Sequence, residues 1–473
     1  MIRVAIIGSG PSALFASKTI LENSSNIVVH VYERGHSPEN RHCPMGNSSC
    51  HMCENCDVLN GGGGAGLYSD GKLVLDLRSG GDALGISGLT NDERKHITES
   101  IKDTFLRFDG VSELKDAPPE DIQKEYSEYL SLHDLKIKYY SVMHMGTSNL
   151  GRITHNFMQF LMSEYERRID FNFNTYVTNI EKTENGKYIL TSNKGKEEYS
   201  SVIAAVGKSG ADWLKQVLLD LNCDYYPHNY YFGVRMETKA SHIKNLVKYS
   251  FDPKIYRVVN SRKVKLHCVC RNGDVRFYRY KEMLFVGGHS PYTKSSPEFL
   301  QMDRANFNVM LSFNKTKLPP NVLLKLFRES TGGKVIAQRF DDFRNNKATN
   351  VWGEMVPKNN EALIRGNIRD VLDAVDPEFS NILINFINDL SKISSGINNQ
   401  DNILYSPAIE WNMDTVKVDL NMETEQRNLF AIGDGAGISQ GIVYSAATGI
   451  VAAREIVSRF AHGDLEIVNE RAK

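Results

Sequence analysis

The first 35 residues constrain this chain more than any other stretch. Val4-Ala-Ile-Ile7 is a β-branched apolar run of the kind found in parallel strands buried on both faces. It runs into Gly8-Ser-Gly10-Pro11-Ser12-Ala13, a predicted helix to about Leu21, and a second strand-like run, Ile27–Tyr32, that ends at Glu33. Strand, glycine turn, helix, strand and acid in this order make the turn that holds the pyrophosphate of a dinucleotide. Gly8 permits the tight turn, Gly10 lets the backbone approach a phosphate, and Ala13 keeps helix and strand close. The helix N-terminus offers oriented N–H groups to that phosphate. Glu33 is placed to accept hydrogen bonds from ribose hydroxyls and to repel a 2′-phosphate.

The rest of the chain must be fitted around this unit. Its 473 residues exceed one ordinary core and predict two or three lobes. A hydrophobic fraction of 41% excludes a disordered chain, and 56 basic against 57 acidic residues leave no global field for nucleic acid or an anionic membrane. The opening apolar run is too short for a secretory signal, and no stretch approaches the ~20 apolar residues of a membrane helix. A soluble, cytoplasmic protein is expected, with a small-molecule substrate and neither nucleic-acid nor membrane partners.

Further along, Gly61-Gly-Gly-Gly-Ala-Gly66 precedes Leu-Tyr-Ser-Asp70-Gly-Lys72. Consecutive glycines are entropically costly to order, so this run is expected to lie against a flat or anionic ligand. Residues 90–165 read as mainly helical. Strand-like runs follow over Asp170–Val177, Thr178–Glu184 and Tyr188–Ser192, with Asn185-Gly186 as a hairpin turn. Ser201-Val-Ile-Ala-Ala-Val-Gly207 is a buried strand ending in glycine. The predicted division is 1–212, carrying a Cys-rich loop at 42–57 and a helical insertion at 90–140, then an inserted lobe at 213–400, then 401–473. The last part holds Leu429-Phe-Ala-Ile-Gly433-Asp434-Gly435-Ala-Gly437 and a helix from about Gly441 to Phe460. The expected fold class is α/β: a Rossmann-like domain of parallel sheet plus β-meander, with an inserted α+β substrate domain.

A second strand–glycine–helix unit so far from the first suits FAD, which is longer than a nicotinamide dinucleotide. Asp434 would then bond the ribityl or phosphate region, and the helix after Gly441 would point its positive end at the flavin N1–O2 edge. Together with Val202–Gly207, these motifs resemble the glutathione-reductase-type FAD fold. Within that superfamily the chain is similar to a large, poorly characterised group of bacterial FAD-dependent dehydrogenases. That likeness rests on the Cys-rich stretch, Gly63–Lys72, Gly233-Val-Arg235-x-Glu237, Cys268-Val-Cys270, Gly288-His-Ser290, Gln338-Arg339 and the closing Gly-Asp-Gly-Ala-Gly. The chain departs from the group at Tyr68 and at Arg271-Asn-Gly. Motifs and resemblance together assign FAD contacts to Gly8, Gly10, Pro11, Ser12, Ala13, Glu33, Arg34, Gly64, Ala65, Gly66, Ser69, Asp70, Gly71, Lys72, Val177, Gly207, Gly433, Asp434, Gly435, Gly441 and Ile442. With no second dinucleotide turn, electrons are expected from the substrate, from transient NAD(P)H, or from an electron-transfer partner.

Four of the seven cysteines, Cys43, Cys50, Cys53 and Cys56, crowd one loop beside His42 and His51. Three readings stand: an iron–sulfur cluster or zinc site, a dithiol that exchanges electrons with FAD, or reduced thiols in an ordered loop. His289 is a candidate acid or base in a turn, and Arg235 a candidate anion clamp. Cys268 and Cys270 are expected on one face of a strand. The basic stretch Lys254–Lys265 reads as a solvated face. The functional expectation is hydride transfer between a small substrate and flavin N5. The rivals are a flavin monooxygenase and an FAD-holding RNA-modifying or RNA-binding protein.

Overall fold

The β-branched opening run forms a strand buried on both sides, and the architecture grows outward from it. The computed structural model describes residues 2–43, 53, 55–68, 71–77, 88–109, 113–280, 283–289, 303–358, 363–410 and 413–461. Two large sheets dominate. In chain order their strands are β1 (Ile2–Ile7), β2 (Ile27–Tyr32), β3 (Lys136–Lys138), β4 (Ile169–Asn172), β5 (Ser201–Ala204), β6 (Tyr230–Lys239) and β7 (Lys254–Val259). They continue with β8 (Arg262–Cys270), β9 (Arg304–Phe313), β10 (Val335–Arg339), β11 (Leu363–Arg365), β12 (Ile403–Glu410) and β13 (Leu429–Ala431). Helices α1 (Pro11–Asn23) and α2 (Ile442–Ala461) follow the two glycine turns.

The first sheet has the order β13-β5-β1-β2-β4, and every neighbouring pair is parallel. Val4, Ala5 and Ile6 at its centre are inaccessible to solvent, which explains their uninterrupted apolar sequence. Helices α1 and α2 pack closely on this sheet: a methyl group at Gly449 of α2 would stand 2.0 Å from the Ser12 carbonyl oxygen of α1. A separate antiparallel meander, Val177–Lys182, Tyr188–Ser192 and Gly195–Tyr199, follows β4, with the expected hairpin at Asn185-Gly186. The run Asp170–Val177, read as one strand, is divided. Its first part pairs with β2, and Asn174 then takes a positive φ, so Val177 starts the meander instead.

The second sheet has the order β11-β10-β12-β6-β9-β8-β7-β3. It takes in Lys136–Lys138 and Ile403–Glu410, from either side of residues 213–400. Helices Pro320–Thr331, Ile368–Val375 and Phe379–Ile393 contribute to the apolar core on one of its faces, where Phe232, Val264, Leu266, Phe327 and Phe379 are all fully buried. The molecule is thus a Rossmann-like parallel-sheet domain with a β-meander and an inserted α+β unit. Among the described residues no helix is long and apolar enough to cross a membrane.

Candidate functional site

The carboxyl ends of the parallel strands carry Gly8, Glu33, Val206-Gly207 and Gly433-Asp434, the edge where ligands of such sheets bind. These turns are pressed together. Gly8 has φ +105, and a methyl group there would lie 2.2 Å from the Ala205 carbonyl oxygen. One at Gly435 would lie 2.3 Å from the Gly207 carbonyl oxygen. The glycine run crosses the same edge: the Gly63 N–H donates to the Ser9 carbonyl at 3.1 Å. A methyl group at Gly64 would be 3.1 Å from Gly10 Cα, and one at Gly66 would be 3.2 Å from Ile442. Three segments far apart in sequence therefore meet around Gly10.

Arg41, which no sequence pattern singles out, holds the glycine run in place. Its guanidinium donates to the carbonyls of Asp57, Gly62 and Gly64, at 2.6 to 2.9 Å. Glu33 fastens the same region from the other side. Its Oε2 accepts from the N–H and hydroxyl of Ser9 at 3.1 and 2.7 Å, and its Oε1 from the N–H groups of Gly35 and Gly61 at 2.9 and 3.0 Å. Four donors occupy the four lone-pair sites of the carboxylate. A ribose hydroxyl reaching Glu33 must therefore displace one of them, the rotatable Ser9 hydroxyl being the easiest to move.

The residues at this edge fit a dinucleotide. Helix α1 has no side-chain cap and no acid in its first turn, so the N–H groups of Ser12 and Ala13 have no intrahelical acceptor and face the turn as donors. Gly207 and Gly441, both at positive φ, have, among the described residues and their chain neighbours aside, no atom within 4 Å of where a Cβ would project. Asp434, half-buried, sits between these two turns. Burial pushes its carboxyl up from the usual range, against the opposing pull of Lys208 at 4.0 Å and a 2.7 Å bond from the Ser439 hydroxyl.

Beyond Asp434 opens a cavity of about 520 Å³, walled on one side by Ser439–Tyr444 and on the other by the polar face of the second sheet. Strand β8 supplies Lys263, Lys265 and His267, whose alternation with buried Val264 and Leu266 gives the strand one wet and one dry face. Lys254 and Tyr256 come from β7, Lys138 from β3, and Tyr231 and Glu410 from β6 and β12. Lys265 pairs with Glu410 at 2.6 Å and sits 3.6 Å from the centre of the Tyr231 ring. Burial raises the Glu410 carboxyl, but His267 when protonated, and the Lys265 ammonium, outweigh it and hold the group well below the usual range. Burial lowers His267 to about 3, so it stands neutral in the wall. The basic stretch expected as a solvated face is in large part the lining of this cavity. The missed signal was the period-two placement of Lys263, Lys265 and His267.

The other expected site residues fall elsewhere. Arg235 is fully buried in β6 and does not line the cavity. Its guanidinium donates to Asn306 and Asn308 Oδ1 at 2.7 and 2.9 Å and to the Cys268 carbonyl at 3.2 Å. His289 belongs to a strand, Met283–His289, paired with Asp274, and not to a turn. Lys72 donates to the Val269 carbonyl, lies 3.7 Å from Asp252 and reaches the cavity wall. Pro11 opens α1 and Ile442 opens α2; Val177 is buried at the start of the meander, and Arg34 is exposed beyond Glu33. Ala65 lies in the short helical turn Ala65–Tyr68, and Gly71 abuts Gly146. Ser69 and Asp70 lie outside the described residues. Cys268 takes φ +56 at a β-bulge that shifts the register between His267 and Cys270, so the simple alternation expected for this cysteine pair is broken.

The metal expectation finds no support. Among the described residues no three His, Cys, Asp or Glu side chains come together to hold an ion. Cys43, Cys53 and Cys56 form no disulfide among the described residues, Cys53 is exposed, and Cys50 lies outside the described residues. The base of the loop is fixed by other bonds: Asp57 accepts from the His42 N–H at 3.0 Å, and the Cys56 carbonyl accepts from Leu59 and Asn60.

Fold and edge together define an α/β protein with a Rossmann-like parallel sheet and a cavity beside its second glycine turn. No protein-family model matches the chain. A protein of Clostridium beijerinckii, described as uncharacterized, is 23% identical over 491 residues, covering 97% of this chain and 81% of the relative. Among solved structures, glycine oxidase from Geobacillus kaustophilus aligns with 97% of this chain and 95% of its own, at 11% identity and a TM-score of 0.40. The 2,6-dihydroxypyridine-3-hydroxylase from Arthrobacter nicotinovorans aligns with 99% and 86%, at 11% identity and a TM-score of 0.43. Neither score carries a reading of activity.

Proposed function

We propose that this chain is an FAD-dependent oxidoreductase acting on a small molecule. One observation carries the reading: two strand–glycine–helix turns from opposite ends of the chain meet at one sheet edge, and the second opens into a roofed cavity. Bound there, FAD would supply a carrier that takes or gives a hydride at N5. The chain's own residues do the rest. Gly8, Gly10 and the first turn of α1 receive the pyrophosphate, and Asp434 receives the ribityl chain. The N-terminus of α2, beginning at Ile442, directs its positive end toward the cavity, where it favours negative charge on the ring edge. The second sheet covers the cavity and keeps water from the reacting atoms. Electrons enter or leave through NAD(P)H bound in passing or through an electron-transfer partner.

The test is the visible spectrum of the purified protein, before and after incubation with FAD. Flavin absorption bands that survive gel filtration are expected. Their absence after reconstitution overturns the reading. Oxygen consumption tightly coupled to NAD(P)H and substrate would move the protein from the dehydrogenases to the monooxygenases.

A further inference from the structure

The cavity wall holds six lysines, Lys72, Lys138, Lys208, Lys254, Lys263 and Lys265, against two carboxylates, Glu410 and Asp434. Three of the six have an acid close by: Lys72 has Asp252 at 3.7 Å, Lys208 has Asp434 at 4.0 Å, and Lys265 has Glu410 at 2.6 Å. The remaining three, Lys138, Lys254 and Lys263, make no ion pair among the described residues. Their placement is unfavourable in isolation. Lys138 and Lys254 are direct cross-strand partners on β3 and β7, and like charges in that position repel. Lys254 and Lys263 instead rest over the rings of Tyr140 and Tyr256, at 5.3 and 4.1 Å. Burial, then Lys265 and Lys138, pull Lys263 down to about 8. The Nδ1 atom of neutral His267, buried in the same wall, has no hydrogen-bond partner among the described residues. None of Gly8, Gly10 or Glu33 lines this cavity, so the lysines are not the seat of a pyrophosphate held at the first glycine turn.

An uncompensated triplet of cations on three adjacent roof strands, β3, β7 and β8, opposite the start of α2, calls for negative charge from a ligand. We infer that the cavity takes a small substrate bearing at least two negative charges, carboxylate or phosphate, held by Lys138, Lys254 and Lys263. The inference rests on the proposed oxidoreductase reading for the word substrate. The ligand chemistry itself rests on the wall.

The experiment is calorimetric titration of the flavin-loaded full-length protein, at low ionic strength, with citrate, inorganic pyrophosphate and, as a monoanion control, acetate. Citrate or pyrophosphate is expected to bind more tightly than acetate, with an affinity that falls steeply as salt is added. The stronger of the two identifies the charged group as carboxylate or phosphate. In the Lys254→Met/Lys263→Met protein the affinity should fall about tenfold or more. Lys325→Met, on the exposed face of Pro320–Thr331, should leave it unchanged. Lys138→Met, at the exposed rim, should weaken binding and keeps the inference testable if the double variant fails to fold. Binding no tighter than acetate, or affinities unaltered in both cavity variants, overturns the inference. The flavin bands are read on the same sample. Bands without anion binding remove this inference alone, whereas anion binding by protein that cannot be loaded with flavin removes the FAD reading alone.

Discussion

Glu33 shows how much one side chain can organise. Its carboxylate joins the β1–α1 turn through Ser9, its own strand exit through Gly35, and the glycine run through Gly61. A carboxylate suits this place because all four partners are donors and only an ionised acid offers acceptors on both oxygens. In Glu33→Gln one oxygen becomes an amide that faces donors. Each buried donor left unpaired costs about 1–3 kcal/mol, so the variant should lose stability to urea by an amount of that order and should release flavin on gel filtration. Unchanged urea midpoints and full flavin retention would show that the turns hold together without it. The position of this acid was legible in the sequence, because its distance from Ala13 follows from the strand–helix–strand unit. Its partners were not, since Gly61 is brought to it only by tertiary folding. Arg41 was invisible for the same reason: its acceptors are backbone carbonyls, which leave no mark on residue type.

At the scale of elements, the fold was read best where local pattern and burial agree, as in β1, α1, the meander hairpin and α2. It was read less well where a backbone irregularity intervenes, as at the Cys268 bulge and the break after β4. The polar face of β8 is legible only at alternate residues, because the net charge of the stretch is the same for a solvated face and for a cavity wall. The contact between α1 and α2 is a further element-level feature, and it depends on Gly449. A methyl group there meets the Ser12 carbonyl oxygen at 2.0 Å and the Ala16 nitrogen at 3.2 Å, both backbone atoms that cannot rotate away. Gly449→Ala should therefore force the helices apart, although alanine is the better helix former by about 1 kcal/mol. Overpacking of this kind costs about 1–3 kcal/mol and sometimes more. A lower thermal midpoint, or failure to accumulate as soluble protein, is expected. A midpoint equal to or above that of the parent would mean that propensity wins and the helices have room.

For the whole molecule, near-neutral overall charge conceals a strong local imbalance: 56 basic and 57 acidic residues coexist with a cavity wall whose cations outnumber its acids. That imbalance should be visible as a dependence of stability on pH. Lys263 has its ammonium pulled down to about 8 by burial first and by neighbouring lysines second, against 10.5 for an ordinary lysine. Below about 8 the group is charged in folded and unfolded chains alike, and the folded state carries the full penalty of housing that charge. Between about 8 and 10.5 the unfolded chain holds the proton while the folded one has released it, so the stability contribution of this site rises with pH. Lys263→Met removes the penalty. It should be the more stable protein at neutral pH in low salt, with the parent closing the gap as pH rises through this window. Urea midpoints of the two proteins at intervals from pH 7 to 10 measure the effect, and other titrating groups cancel in the difference. A bound anion favours the charged lysine and should move the closure to higher pH, so that saturating citrate or pyrophosphate narrows the gap at neutral pH. A gap that stays constant across the range, with or without anion, would show that Lys263 is ordinarily solvated and that the wall stores no unbalanced charge.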